Sequence, residues 1–164
     1  DIKRLKFMGI KYIIFDKDNT LCNTYQTELH PSLKDKIDLI NKEFPSCVAI
    51  LSNSDGSSDD KNYEGAKETE KNLKISVIRH VYKKPACFNE VLDHFKRIHN
   101  TDIKASEICM IGDRVLTDVV FANQNKMISV LVAPLSYVKD HPLAVIIRLF
   151  ERNFLLPLVR LFGF

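Results

Sequence analysis

The chain has 164 residues, 45% of them hydrophobic and 27% charged, with a net charge of +3 at pH 7. That is enough apolar material for one core and one compact domain. So small a charge, with no clustered basic stripe, argues against nucleic acid as a partner, and no uncharged apolar run reaches the roughly 20 residues that span a bilayer, so a soluble or peripheral protein is expected.

The chain begins at Asp1 rather than Met, which reads as a processed form or a fragment whose targeting peptide would be out of view. From there, short apolar runs bounded by turn residues alternate with amphipathic stretches, the pattern of βαβ units around a mostly parallel sheet. Strands are predicted at 12–15, 47–51, 77–78, 108–111 and 128–132. His30-Pro31-Ser32 places Pro in the first turn of a helix carrying Leu33, Ile37 and Ile40. Ser57-Ser58-Asp59-Asp60 supplies caps for the polar segment 61–74, whose charges read as a solvated face. Pro85 opens a third helix with Val91, Leu92 and Phe95 at helical spacing, and a fourth runs from about Leu116 to Asn125.

Beyond these, Ile146, Ile147, Phe150 and Phe154 share one helical face, Arg148 and Arg152 lie opposite, and Pro157 interrupts. A helix closing the core, an interfacial anchor and a dimerising face all need such a stripe. The expected organisation is an α/β domain over 1–140 with about five mostly parallel strands flanked by helices, then a C-terminal amphipathic segment over 141–164. Cys22, Cys47, Cys87 and Cys109 lack metal-ligand spacing and read as reduced core thiols, which points to a reducing compartment. The five histidines, His30, His80, His94, His99 and His141, read as surface or capping residues.

In parallel α/β sheets ligands bind beyond the carboxyl ends of the strands, so the residues just after each run carry the function. These are Asp16 and Asp18 after the first, Ser52 and Asn53 after the second, Lys84 just past the third, and Gly112, Asp113 and then Asp118 after the fourth. Asp16 and Asp18 are expected to project into one space, where their repulsion calls for a cation. Hard oxygen donors suit Mg²⁺, and Asp113 from a neighbouring strand completes the site. Asp16 then serves as a nucleophile and Asp18 as general acid and base. Ser52, Asn53 and Lys84 are the donor types that a transferred phosphoryl group requires.

Taken together, Asp16-Lys17-Asp18-Asn19-Thr20, Ser52-Asn53, Lys84-Pro85 and Gly112-Asp113 through Asp118 resemble the haloacid dehalogenase superfamily. The resemblance implies a Rossmann-like core and an aspartyl-phosphate on Asp16, with Mg²⁺ held by Asp16, Asp18 and Asp113 and with Thr20 and Asp118 in support. Asp at position 18 favours phosphatases over dehalogenases. The short spacings from Asp18 to Ser52 and from Ser52 to Lys84 leave room for a flap near 21–29 but not for a cap domain, so an open cavity and a large or surface-presented substrate are expected.

The wording of segments 9–21, 51–56 and 83–85 looks more narrowly like the mitochondrial-type phosphatidylglycerophosphate phosphatases, with Lys17 and Asn19 the discriminating letters. This implies an anionic phospholipid substrate in cardiolipin synthesis at the matrix side of the mitochondrial inner membrane. Tyr25 in the flap is a candidate headgroup contact, and a homo-oligomer is compatible with the C-terminal stripe. The competing readings are a capless phosphatase for phosphoproteins, nucleic-acid ends or small phosphomonoesters, and a non-catalytic lipid-binding scaffold.

Overall fold

A computed structural model describes residues 1–136 together with residues 150, 151, 153 and 157. Of the C-terminal stripe, only Phe150 and Pro157 are among these; the other residues of the stripe lie outside the described residues.

Five strands, β1 (Tyr12–Phe15), β2 (Val48–Ile50), β3 (Ser76–Val77), β4 (Ile108–Gly112) and β5 (Ile128–Leu131), form one parallel sheet in the order β3-β2-β1-β4-β5. Every strand pair in it is parallel. The α/β expectation with five strands is therefore met. The second strand is shorter than read and the third begins one residue earlier, as suits short buried runs whose ends periodicity does not define.

Side chains alternate across the sheet and divide the core in two. Ile13, Phe15, Ile50 and Ile111 face one way, against Ile37 and Phe44 at the helix α2 (Lys34–Glu43) and Ala66 and Leu73 of α3 (Glu64–Leu73). Tyr12, Ile14, Leu51 and Met110 face the other way, against Val91 and Phe95 of α4 (Phe88–His99) and Phe121 of α5 (Val120–Gln124). With both faces covered, β1 and β4 are buried along their whole length, which is why they read as continuous apolar runs.

Local chemistry sets the helix ends. Asp60 Oδ1 accepts from Gly65 N at 3.0 Å and Oδ2 from Ala66 N at 2.9 Å, so Asp60 caps α3 from outside the helix. α4 starts three residues beyond Pro85. A helix not foreseen, α1 (Ile2–Phe7), precedes β1. Asp1 caps it by accepting from Lys3 N at 2.9 Å, and Ile2 and Leu5 pack on the core.

The fourth expected helix is two pieces, a π-helical turn over Val115–Val119 followed by α5. Such turns insert a residue into the helical ladder and often mark functional sites.

β1 sits mid-sheet, with the connections of β2 and β3 on one face and those of β4 on the other, so the chain reverses direction between β1 and β4. The crevice at their carboxyl ends is the topological switch point. Only a 3-10 turn and one helix lie between β1 and β2, and likewise between β2 and β3, so no cap domain is inserted there. Among the described residues no helix is long and apolar enough to cross a membrane.

Candidate active site

Asp16 follows β1 directly, and its N–H donates to the carbonyl of Ile111 on β4 at 2.8 Å, which fixes it at the switch point. Its side chain meets Lys84, whose Nζ lies 2.6 Å from Asp16 Oδ1 and 2.6 Å from Asp118 Oδ1. Carboxylate oxygens of Asp16, Asp113 and Asp118 all lie within 4.8 Å of one another, and all three residues are buried.

Two carboxylates thus share one ammonium with a third carboxylate, that of Asp113, close by, and Asp16 Oδ2 is buried with no hydrogen-bond partner. Burial raises the Asp16 carboxyl well above the usual carboxylate range; Lys84 pulls it down and Asp118 and Asp113 push it up again. For Lys84, burial disfavours the charge, but Asp118 and Asp16 outweigh it and hold the ammonium protonated. A hard divalent cation fits this donor set, because it would balance the excess negative charge and occupy the unpartnered oxygen.

Asp118 reaches this cluster from the π turn, where it also accepts from Arg114 N at 3.2 Å. A Cβ on Gly112 would overlap the Asp118 side chain, so glycine is the residue that lets the carboxylate approach β4 this closely. Glu151, itself buried, accepts from Val115 N at 3.2 Å and Leu116 N at 2.7 Å, satisfying two free donors at the start of the turn.

Asp18 is oriented differently from the expectation that it shares a space with Asp16. Its Oδ1 accepts from Tyr25 N at 3.1 Å and its Oδ2 from Ser54 Oγ at 3.0 Å, and its side chain is 22% exposed. The trio expected to hold metal was Asp16, Asp18 and Asp113; the trio within mutual reach is Asp16, Asp113 and Asp118. The reason is the tight turn after Lys17, whose carbonyl accepts from the N–H groups of Leu21 and Cys22 and swings Asp18 toward the flap.

Asn19 holds φ +61°, a conformation that Asn tolerates better than most residues. Its carbonyl accepts from Leu135 N at 3.0 Å and its side-chain oxygen from Ser136 N at 3.3 Å, joining the loop after β1 to the segment after β5.

Ser52 is buried after β2, with Oγ 2.9 Å from Ser54 Oγ. Asn53 Oδ1 accepts from Lys84 N at 2.9 Å, so Asn53 ties the loop after β2 to the loop after β3. Thr20 Oγ1 is buried without a hydrogen-bond partner and lines the wall of a separate groove. That groove, about 600 Å³, is apolar and runs among α1, α2 and β5, meeting the loop after β1 at Thr20 and Leu21.

Four participants were given no role at the site by the sequence. Lys17 is buried, with Nζ 2.9 Å from Asp55 Oδ2 and 3.5 Å from Asp18 Oδ1. Asp55 in turn accepts from Thr69 Oγ1 at 2.6 Å. Ser54 links Ser52 to Asp18, and His80 is buried rather than at the surface. Ser54 and Asp55 continue the same strand-end loop as Ser52 and fall within the 51–56 wording, so their place at the strand end was the signal that could have assigned them a role.

Against known families, residues 1–134 match the model described as mitochondrial PGP phosphatase. The chain belongs to this family. Members similar to it include phosphatidylglycerophosphate phosphatase 1, chloroplastic/mitochondrial, of Arabidopsis thaliana, 38% identical over 85% of this chain and 39% of the relative. The mitochondrial phosphatidylglycerophosphatase GEP4 of Saccharomyces cerevisiae is 35% identical over 70% of this chain and 62% of its own length. The chain therefore spans between two fifths and three fifths of these two relatives.

The probable phosphatase YqeG of Bacillus subtilis is 30% identical over 82% of this chain and 70% of that protein. An uncharacterized protein from Listeria monocytogenes shares the fold, with a TM-score of 0.54 over 80% of this chain and 85% of that chain at 18% identity. For a family member the discriminating letters now have physical content: Lys17 is the buried cation beside Asp18, and Asn19 is the left-handed turn residue that holds the segment after β5.

Proposed function

We propose that the chain is a Mg²⁺-dependent phosphatase that removes the terminal phosphate of phosphatidylglycerophosphate, leaving phosphatidylglycerol. The observation that carries this reading is the buried group of Asp16, Asp113 and Asp118, two of them paired with Lys84, with one Asp16 oxygen unpartnered at the switch point.

In this reading Asp16 attacks phosphorus, the bond to the leaving oxygen breaks, and Asp18 delivers its proton to that oxygen. Asp18 then takes a proton from water as the water attacks the aspartyl-phosphate, releasing phosphate and restoring Asp16. Ser52, Asn53 and Lys84 bind the phosphoryl oxygens. Asp16 and Asp113, with Asp118 beside them, would hold Mg²⁺. Bound there, the ion supplies positive charge that keeps Asp16 ionised. Asp18, turned toward Tyr25 and Ser54, is reserved for proton transfer.

The lipid substrate is carried over from the relatives, whose names specify it. An uncapped crevice and an apolar groove reaching Thr20 and Leu21 are in keeping with a substrate presented at a membrane surface. The relatives' names support a mitochondrial location, and within it we propose the matrix side of the inner membrane.

Phosphate release across a panel of phosphatidylglycerophosphate, a phosphopeptide and a sugar phosphate tests the reading. Mg²⁺-dependent release from the lipid, absent in Asp16→Asn, is expected. Release from the soluble esters with none from the lipid would overturn the substrate while leaving the reaction class.

A further inference from the structure

His80 is buried, and the chemistry above does not use it. Its Nε2 lies 2.7 Å from the carbonyl oxygen of Ser52 and its Nδ1 2.7 Å from the carbonyl oxygen of Tyr82. Carbonyl oxygens only accept, and a neutral imidazole carries one N–H. A neutral ring would therefore set a nitrogen lone pair against an oxygen lone pair at one end. Turning the ring over does not help, since it would put C–H groups at 2.7 Å where such contacts sit at about 3.3–3.6 Å.

We infer that His80 is a positioning residue, held as a doubly protonated imidazolium that clamps the phosphate-binding loop after β2 to the loop that delivers Lys84. Three further observations place it there. The backbone N–H of His80 donates to the carbonyl of Gly56 at 2.8 Å, in the same loop as Ser52. Gly56 sits at φ +82°, and a Cβ there would lie 2.7 Å from the carbonyl oxygen of Ile78, so the two loops approach as closely as backbone allows. Lys84 N donates to Asn53 Oδ1 at 2.9 Å, closing a second stitch between the loops.

The ring thus fixes the Ser52 carbonyl from behind, and the peptide plane turns the Asn53 N–H to the opposite side, away from His80. Tyr82, captured by the other ring nitrogen, stands two residues before Lys84, so one side chain sets the approach of both phosphate-binding loops. Its charge is a buried cation behind Ser52, additional to Lys84.

The kinetic consequence rests on reading Ser52 and Lys84 as phosphate ligands; the charge state does not. Nitrogen-15 NMR of the histidine-labelled full chain at neutral pH, with the His80 signals assigned by their loss in His80→Gln, is expected to show a proton on each ring nitrogen. A single protonated nitrogen overturns the clamp. His80→Gln can donate to one carbonyl but cannot bridge both. With Mg²⁺ present, its inhibition constant for inorganic phosphate against an aryl phosphate substrate is expected to rise about tenfold or more.

An unchanged phosphate constant in a folded His80→Gln chain reduces His80 to a structural role and overturns the positioning. Should His80→Gln fail to fold, the wild-type spectrum, assigned by triple-resonance experiments, still decides the charge state. A wild-type chain that binds no inorganic phosphate overturns the phosphatase reading and the positioning role with it, whereas a singly protonated ring overturns the clamp alone.

Discussion

Asp16 and Asp18 are two residues apart in the chain and occupy unlike environments. Asp16 is 1% exposed, with Lys84 on one oxygen and two further carboxylates within reach. Asp18 opens partly to solvent and is held by a flap N–H and the Ser54 hydroxyl. Spacing alone suggested a repelling pair in one space. The turn at Lys17 separates them into a buried charged centre and an adjustable edge, in keeping with the nucleophile and the proton carrier proposed for them.

Substituting the two carboxylates separates their roles most directly. Asp16→Asn is expected to lower phosphate release about 10⁴-fold or more. Asp18→Asn should cost about 10²- to 10⁴-fold with a poor leaving group and much less with an aryl phosphate. Equal losses on both substrates would show that the two aspartates act as a single unit.

Lys84→Met probes the buried side. It leaves Asp16 and Asp118 without their shared cation, so stability by urea unfolding should fall by about 3 kcal/mol in the absence of Mg²⁺, and added Mg²⁺ should restore part of that. Ser54→Ala probes the open side; it removes one hydrogen bond to Asp18 and should lower turnover about tenfold with little change in unfolding midpoint.

The smallest expected effect lies away from both aspartates. Burial, with Arg97 adding to it, depresses His94 from 6.5 to about 4. The unfolded chain takes up a proton below about pH 6.5 that the folded chain resists, so this contribution is complete above that pH and is lost as pH falls toward 4. His94→Gln should flatten the decline in stability between pH 6.5 and 5 by roughly 1 kcal/mol, without altering the pH profile of turnover.

Much of the candidate site was legible because strand ends are legible. Asp16, Ser52 and Asp113 each stand just past a continuous apolar run, and a sheet buried on both faces makes such runs unmistakable. Lys84 needed only the rule that loops after strands carry function. That Asp118 supports Lys84 or the metal was implied by the family resemblance; the route that brings it there was not legible, since it depends on a π turn and on the missing Cβ of Gly112, neither of which has a periodic signature. The orientation of Asp18 follows from hydrogen bonds to a single carbonyl, that of Lys17, which hydrophobic patterning does not register. His80 was misread because a histidine looks alike in sequence whether it faces water or two carbonyls. α1 was missed because six residues carry too little periodicity to rise above a loop.

The contact of Glu151 with Val115 and Leu116 bears on how the protein can be handled. These two N–H groups stand next to Arg114 and begin the turn that returns Asp118 to Lys84. A protease cut or a shortened expression boundary that removes residue 151 would therefore loosen the turn that carries Asp118 to Lys84, disturbing the cluster while Asp16, Ser52 and Lys84 all stayed in the chain.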